Sequence, residues 1–215
     1  MKKKTLLIAV VAIALAAIAA ASVTVAWLTA EANEVTNTFT VGNITIDLKE
    51  YVLGDKTQEK TASEEGNYKV VPGGTQAKEP FVKVKGGSEK CYVYVLVTNE
   101  LAVTNDNGTS YTNVATLDIG GKWESIATVT TNGVVKTLYR YTEVVDALDT
   151  DSTEWVKTDA VFTNVTYAGD AITSINITQL DDKQIKIDAF AHQSDNTSKD
   201  VADTAAKTHF GFATN

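Results

Sequence analysis

Beyond residue 34 the chain runs in short stretches where apolar and polar residues alternate. In QIKIDAF, Ile185 and Ile187 share one side of an extended backbone and Lys186 and Asp188 the other, which predicts a half-buried strand. FVKVK (81–85), VFTNVTY (161–167) and AITSINI (171–177) read as strands in the same way. CYVYVLVT (91–98) differs: Cys91, Val93, Val95 and Val97 oppose Tyr92, Tyr94 and Leu96, so both faces are apolar and the strand is expected at the centre of a sheet. The Asn-Gly pair in NDNG (105–108) tolerates positive φ at both turn positions and predicts a hairpin. Residues 198–210 carry helical composition, as do residues 138–148 more weakly. Residues 54–67, polar and charged, are expected to form a mobile loop. Many short strands, turn signals at Gly, Asn and Asp, and only two prolines predict one all-β domain over residues 27–215, a jelly-roll-like β-sandwich with a short C-terminal helix.

The start of the chain follows another pattern. Lys2, Lys3 and Lys4 precede an unbroken apolar run over residues 6–21, and Thr24, Val25 and Ala26 form a small-x-small site ahead of Trp27. This is the layout of a secretory signal peptide over residues 1–26, cleaved by a signal peptidase between Ala26 and Trp27. As a helix the apolar run would rise roughly 24 Å, short of the ~30 Å hydrocarbon thickness of a bilayer. A cleaved leader is favoured over an uncleaved anchor, and contact with the membrane is expected only through that leader.

Export changes the charge. The whole chain carries −8; without the three leader lysines, 16 basic residues face 27 acidic ones, a net −11. Nucleic-acid binding, which needs clustered Lys and Arg to replace phosphate counterions, is disfavoured. The single cysteine cannot form an internal disulfide, so stability must come from packing.

Between leader and domain lies TVAWLTAEANEVTNTFTVGNITIDL (24–48). Val35, Phe39 and Val41 are apolar at odd positions, Ile44, Ile46 and Leu48 at even ones, so the two-residue period changes phase at Gly42-Asn43. A bulge or tight bend produces such a shift. The second half reads as a core strand, while the first is longer than a domain needs.

This stretch resembles the leader-proximal signature of the TasA/camelysin family, secreted Gram-positive proteins processed by a signal peptidase of the SipW type. VVPGGTQAKEPFVKVKGGSEKCYVYVLV is similar to the family's Pro-Gly turn and paired strands, TDAVFTNVTY to its LF-x-x-V strand, and IKIDAFAHQSD to its C-terminal strand; Gly86-Gly87 stands where the family usually has Asn. The resemblance implies a jelly-roll fold and self-association into biofilm matrix fibres, where the N-terminal strand of one subunit completes the sheet of the next. The donor would be residues 27–41, with Val35, Phe39 and Val41 as its apolar contacts. The camelysin branch implies a secreted metalloprotease as an alternative, and a surface adhesin on the same fold is a third reading.

Candidate chemistry along the chain is sparse. A zinc peptidase needs ligands and a general base, but His192 and His209 stand apart with no H-E-x-x-H between them. Asp149, Asp151 and Thr153 alternate like the start of a calcium loop, yet Glu154 and Ala160 occupy its sixth and twelfth positions, so an acidic solvated loop is expected. Cys91, among β-branched neighbours, reads as a small buried hydrophobe. Trp123 and Trp155 are candidates for a glycan platform, with core or edge packing as the default. Five N-x-[S/T] sequons, at Asn43, Asn107, Asn164, Asn176 and Asn196, go unused in a bacterial setting. No catalytic residue, cofactor or metal ligand is assigned from the sequence.

Overall fold

The computed structural model describes residues 43–52, 55–61, 69–104, 108, 110–173 and 176–213. These belong to one unit, Gly42–Asn215. The leader, the cleavage residues Thr24, Ala26 and Trp27, and the donor-strand residues Val35, Phe39 and Val41 lie outside the described residues.

Alternation in the sequence is spent on three main sheets, all antiparallel. The first has the order β11 (Trp155–Lys157), β4 (Pro80–Lys85), β1 (Ile46–Val52), β2 (Asp55–Thr61). The second runs β13 (Ile185–Gln193), β5 (Cys91–Asn99), β10 (Val134–Tyr141), β9 (Trp123–Thr131). The third is β3 (Thr75–Ala77), β12 (Phe162–Tyr167), β8 (Ala115–Ile119), and a small hairpin pairs β6 (Ala102–Thr104) with β7 (Tyr111–Asn113). The chain crosses from the first sheet to the second between β4 and β5 and returns between β10 and β11, so the sheets are interleaved in the manner of a sandwich.

The core lies between these layers. Val82 and Val84 from β4 meet Cys91, Val93, Val95 and Val97 from β5, with Phe162 and Val165 from β12 closing the same cluster. Each such side chain, fully buried, contributes about 1.5–3 kcal/mol. Ile44, Ile46 and Leu48 pack against this cluster, so the second half of the opening stretch is a core strand, held by β4 from Ile46↔Val84 to Glu50↔Pro80. The opposite face of β5 is apolar for a separate reason: Tyr94, with Leu138 of β10, lies under the helix α1 (Lys199–His209), which lays Ala202 and Ala206 on it. Two covered faces account for the continuous apolar run of β5, flanked by β13 and β10. Ser198 caps the helix by accepting from the Val201 amide, Asp200 sits in its first turn and Lys207 in its last, in line with the helix dipole.

The fold is thus an all-β sandwich with one short C-terminal helix, as the alternation predicts. Three local expectations are corrected. Residues 55–61, expected in a loop, form β2 and pair with β1, Lys49↔Thr61 to Val52↔Asp55; the charged sequence reflects an edge position, where charge discourages further strand addition. The described residues of AITSINI, 171–173 and 176–177, carry no strand: Ile172 is buried, and Ile177 opens a 3-10 turn, Ile177–Leu180. Residues 138–148 are not helical, since Leu138 to Tyr141 end β10 and Val145 bridges to Cys91. The predicted hairpin is present in its strands, β6 pairing β7 with Gly108 at φ 65°.

Candidate functional site

Burial and pairing decide which of the sequence's candidates are available for chemistry. Cys91 lies on the inner face of β5, and its backbone exchanges both hydrogen bonds with Val145, 3.0 and 2.9 Å. Burial alone pushes its thiol up to about 12, so it is a packed hydrophobe rather than a nucleophile. The two histidines flank Phe190. His209, at the end of α1, stacks on that ring at 4.5 Å between centroids, and His192 stands 6.4 Å from it on β13 with Nδ1 2.9 Å from the Gln193 carbonyl oxygen. Among the described residues no three His, Cys, Asp or Glu side chains converge in a ligand cluster.

The acidic loop is seated by glycine. Asp151 Oδ1 accepts from the amide and the hydroxyl of Thr153 at 2.8 and 2.7 Å, and these bonds hold its carboxyl below the usual range. The Gly86 amide donates to the Glu154 carbonyl and the Gly87 amide to that of Ala147. A Cβ at Gly86 would stand 1.9 Å from the Asp151 carbonyl oxygen. Gly86-Gly87 is where backbone meets backbone, which is the physical reason for glycine at this site.

Trp123 and Trp155 lie in different sheets. Trp123 is buried in β9, tilted against Tyr141 at 5.0 Å and donating from Nε1 to the Asp159 carbonyl. Trp155 is half-buried in β11, with Lys83 Nζ 5.2 Å above its ring. Around it the outward face of the first sheet carries a layer that sequence reading missed. Tyr51 and Phe81 lie tilted against each other with centroids 4.5 Å apart, Lys157 Nζ lies 5.7 and 5.4 Å from their centroids, and Glu59 accepts from both Lys157 and Lys83 at 2.5 and 2.6 Å. Burial would raise the Glu59 carboxyl, but the two ammonium groups hold it below its ordinary value. The signal was the alternation of aromatic and lysine along FVKVK and WVK, legible only once β2 is placed beside β1.

A cleft of about 580 Å³ opens beside this layer, between Tyr51, Phe81 and the Gly120–Gly121 turn, with Lys122 and Asp159 on its rim. Both rim charges are engaged: Lys122 with Glu143, and Asp159 Oδ2 as acceptor for the Tyr141 hydroxyl. Burial and that carboxylate push the Tyr141 phenol up to about 12.

Under α1 is a second network unseen in the sequence. Arg140, 4% exposed, donates to Asp203 of the helix and to Glu124 of β9, and the Tyr94 hydroxyl donates to Asp203 at 2.9 Å. Burial would lower the Arg140 pKa, but the carboxylates hold it above its ordinary value. The network fastens the helix to the sheet.

What remains available is backbone at the sheet edges. The outer edges of β9, β13 and β2 pair with no other strand among the described residues. An exposed edge is a row of donors and acceptors able to take another strand. Among the described residues no helix is long and apolar enough to cross a membrane. Compared with family models, curated proteins and solved structures, the chain gives no match.

Proposed function

We propose that this chain is a secreted structural subunit of the TasA/camelysin kind, which assembles outside the cell into fibres by donating its N-terminal strand to a neighbour. The observation that carries the reading is the sequence between leader and domain, strand-like over Val35, Phe39 and Val41 and out of phase with the strand that follows. The fold supports it: β1 already has β2 on one side and β4 on the other, so a strand made from residues 35–41 is surplus to that pairing. The sandwich and its open edges are the kind of acceptor that strand addition needs, main-chain bonds supplying affinity and alternate side chains the register.

The test is to produce residues 27–215 behind a removable N-terminal cap and to release the cap. Fibres under negative stain after release, and not before, are the expected result. Monomer at every concentration after release sinks the reading. The peptidase alternative is tested on the same sample: a chelator is expected to leave the melting temperature and assembly unchanged, and a large loss on chelation would revive His192, His209 and the Asp149/Asp151 loop as ligands.

A further inference from the structure

The open edges differ in how they are guarded. β2 carries Asp55, Lys56, Glu59 and Lys60 within seven residues, β13 carries Lys186 and Asp188, and β8 carries Asp118 within five. β3 and β11 are three residues long. Short length and charge are the ordinary protections of an edge. β9 is nine residues long and its one charge, Glu124, stands at its start, turned to Arg140; Ser125 to Thr131 contains no charge and no proline. Val129 is 45% exposed in the middle of it.

This edge is also held rigid at both ends. Trp123 is buried at its start. At its far end Asn132 and Gly133 take φ 51° and 80°, a tight turn into β10. A Cβ at Gly133 would stand 2.7 Å from Ala102 Cβ and 2.8 Å from Tyr111 Cβ, so the turn is seated on the β6–β7 hairpin. Pairing with β10 sets Ala127 opposite Leu138, Thr128 opposite Thr137 and Val129 opposite Lys136, and the register shift leaves Ile126 as an extra residue. Regular strand thus runs from Ala127 to Thr131, with Ala127, Val129 and Thr131 on one face and Thr128 and Thr130 on the other.

We infer that β9 pairs with β9 of a second copy, antiparallel about a two-fold axis at Val129. That register sets Val129 against Val129, Thr128 against Thr130 and Ala127 against Thr131, matching face for face. Charge selects this arrangement. A parallel in-register pair would put Glu124 against Glu124, whereas the antiparallel one carries each Glu124 out beyond the other copy's Asn132-Gly133 turn. Lys136, opposite Val129 on β10, is one strand removed. The two copies' lysines then stand three strand spacings apart, ~14 Å, beyond the ~8 Å screening length at physiological salt. The product is a continuous eight-stranded sheet with β13 at each outer edge. The contact does not depend on strand donation by residues 35–41; in a fibre it would join strands of subunits side by side.

The secreted chain carrying Val129→Cys tests the axis, because Cys91 is buried and does not compete. Mild oxidation is expected to give a reductant-sensitive dimer. Thr131→Cys, exposed on the same face but ~13 Å from its own copy by strand rise, is expected to give no disulfide-linked dimer, and Val129→Lys to sediment as monomer with an unchanged melting temperature. Crosslinking of Val129→Cys must persist when Phe39→Asp and Val41→Asp are added. A crosslink that persists there while fibres are lost is the expected result; a crosslink with no fibres even from the unsubstituted N-terminal segment leaves this contact standing and tells against strand donation only. Failure of Val129→Cys to crosslink, equal crosslinking of Thr131→Cys, or loss of the crosslink in the Phe39/Val41 background overturns the inference.

Discussion

A methyl group at Gly86 would collide with backbone rather than with a side chain that can swing away, and the Asp151 carbonyl oxygen, 1.9 Å off, can move only with its loop. Gly86→Ala is therefore expected to cost about 1–3 kcal/mol, the range for overpacking, which for a domain of this size lowers Tm by roughly 2–12 °C. Gly87 next to it has open space but φ 78°, so Gly87→Ala costs only the left-handed penalty, about 1 kcal/mol. Equal losses at the two glycines would show that the loop does not rest on Gly86. Asp118 makes a different kind of single-residue claim. Its carboxylate accepts from the amides and side chains of Thr163 and Asn164, where the β12–β8 register shifts. Partial burial works to raise its pKa, but those four bonds bring it down to about 2. A folded pKa below the unfolded one means the stabilisation is complete above the ordinary value of 3.8 and is lost as pH falls through about 2. Melting curves of the wild type and Asp118→Asn between pH 5 and pH 2 are expected to converge at the acid end; a constant gap would contradict the assignment.

At the scale of elements, the helix α1 is held by small apolar contacts and one charged network. Asp203→Ala leaves Arg140 with Glu124 alone and the Tyr94 hydroxyl without its acceptor. The expected loss is about 3 kcal/mol, the lower end for breaking a buried pair, with limited proteolysis beginning in residues 198–213. Cleavage beginning elsewhere would show that the helix is anchored by Ala202 and Ala206 instead. The elements also show what the sequence could reveal. β5 was legible as central because covered faces demand apolar residues at every position, and β13 because one exposed face demands alternation. β2 was not, because an edge strand protected by charge has the composition of a loop. The Asn132-Gly133 turn carried the same hairpin signal as Asn107-Gly108 and marks the β9–β10 pair. The ion networks of Glu59 and Arg140 join residues dozens of positions apart, and no spacing rule reports such a meeting.

At the scale of the molecule, the sandwich buries apolar side chains in two places, between sheets and under the helix, and among the described residues leaves sheet edges open. The central claim is that residues 35–41 belong functionally to the neighbour. Phe39→Asp with Val41→Asp places charge where an acceptor groove must be dry, at several kcal/mol per unpaired buried charge. The deciding measurement is negative-stain microscopy of that double variant beside the wild type, with a thermal melt of both. The account predicts fibres from the wild type, none from the variant, and a cooperative melt retained in each; a variant that still forms fibres, or one that cannot fold, contradicts it.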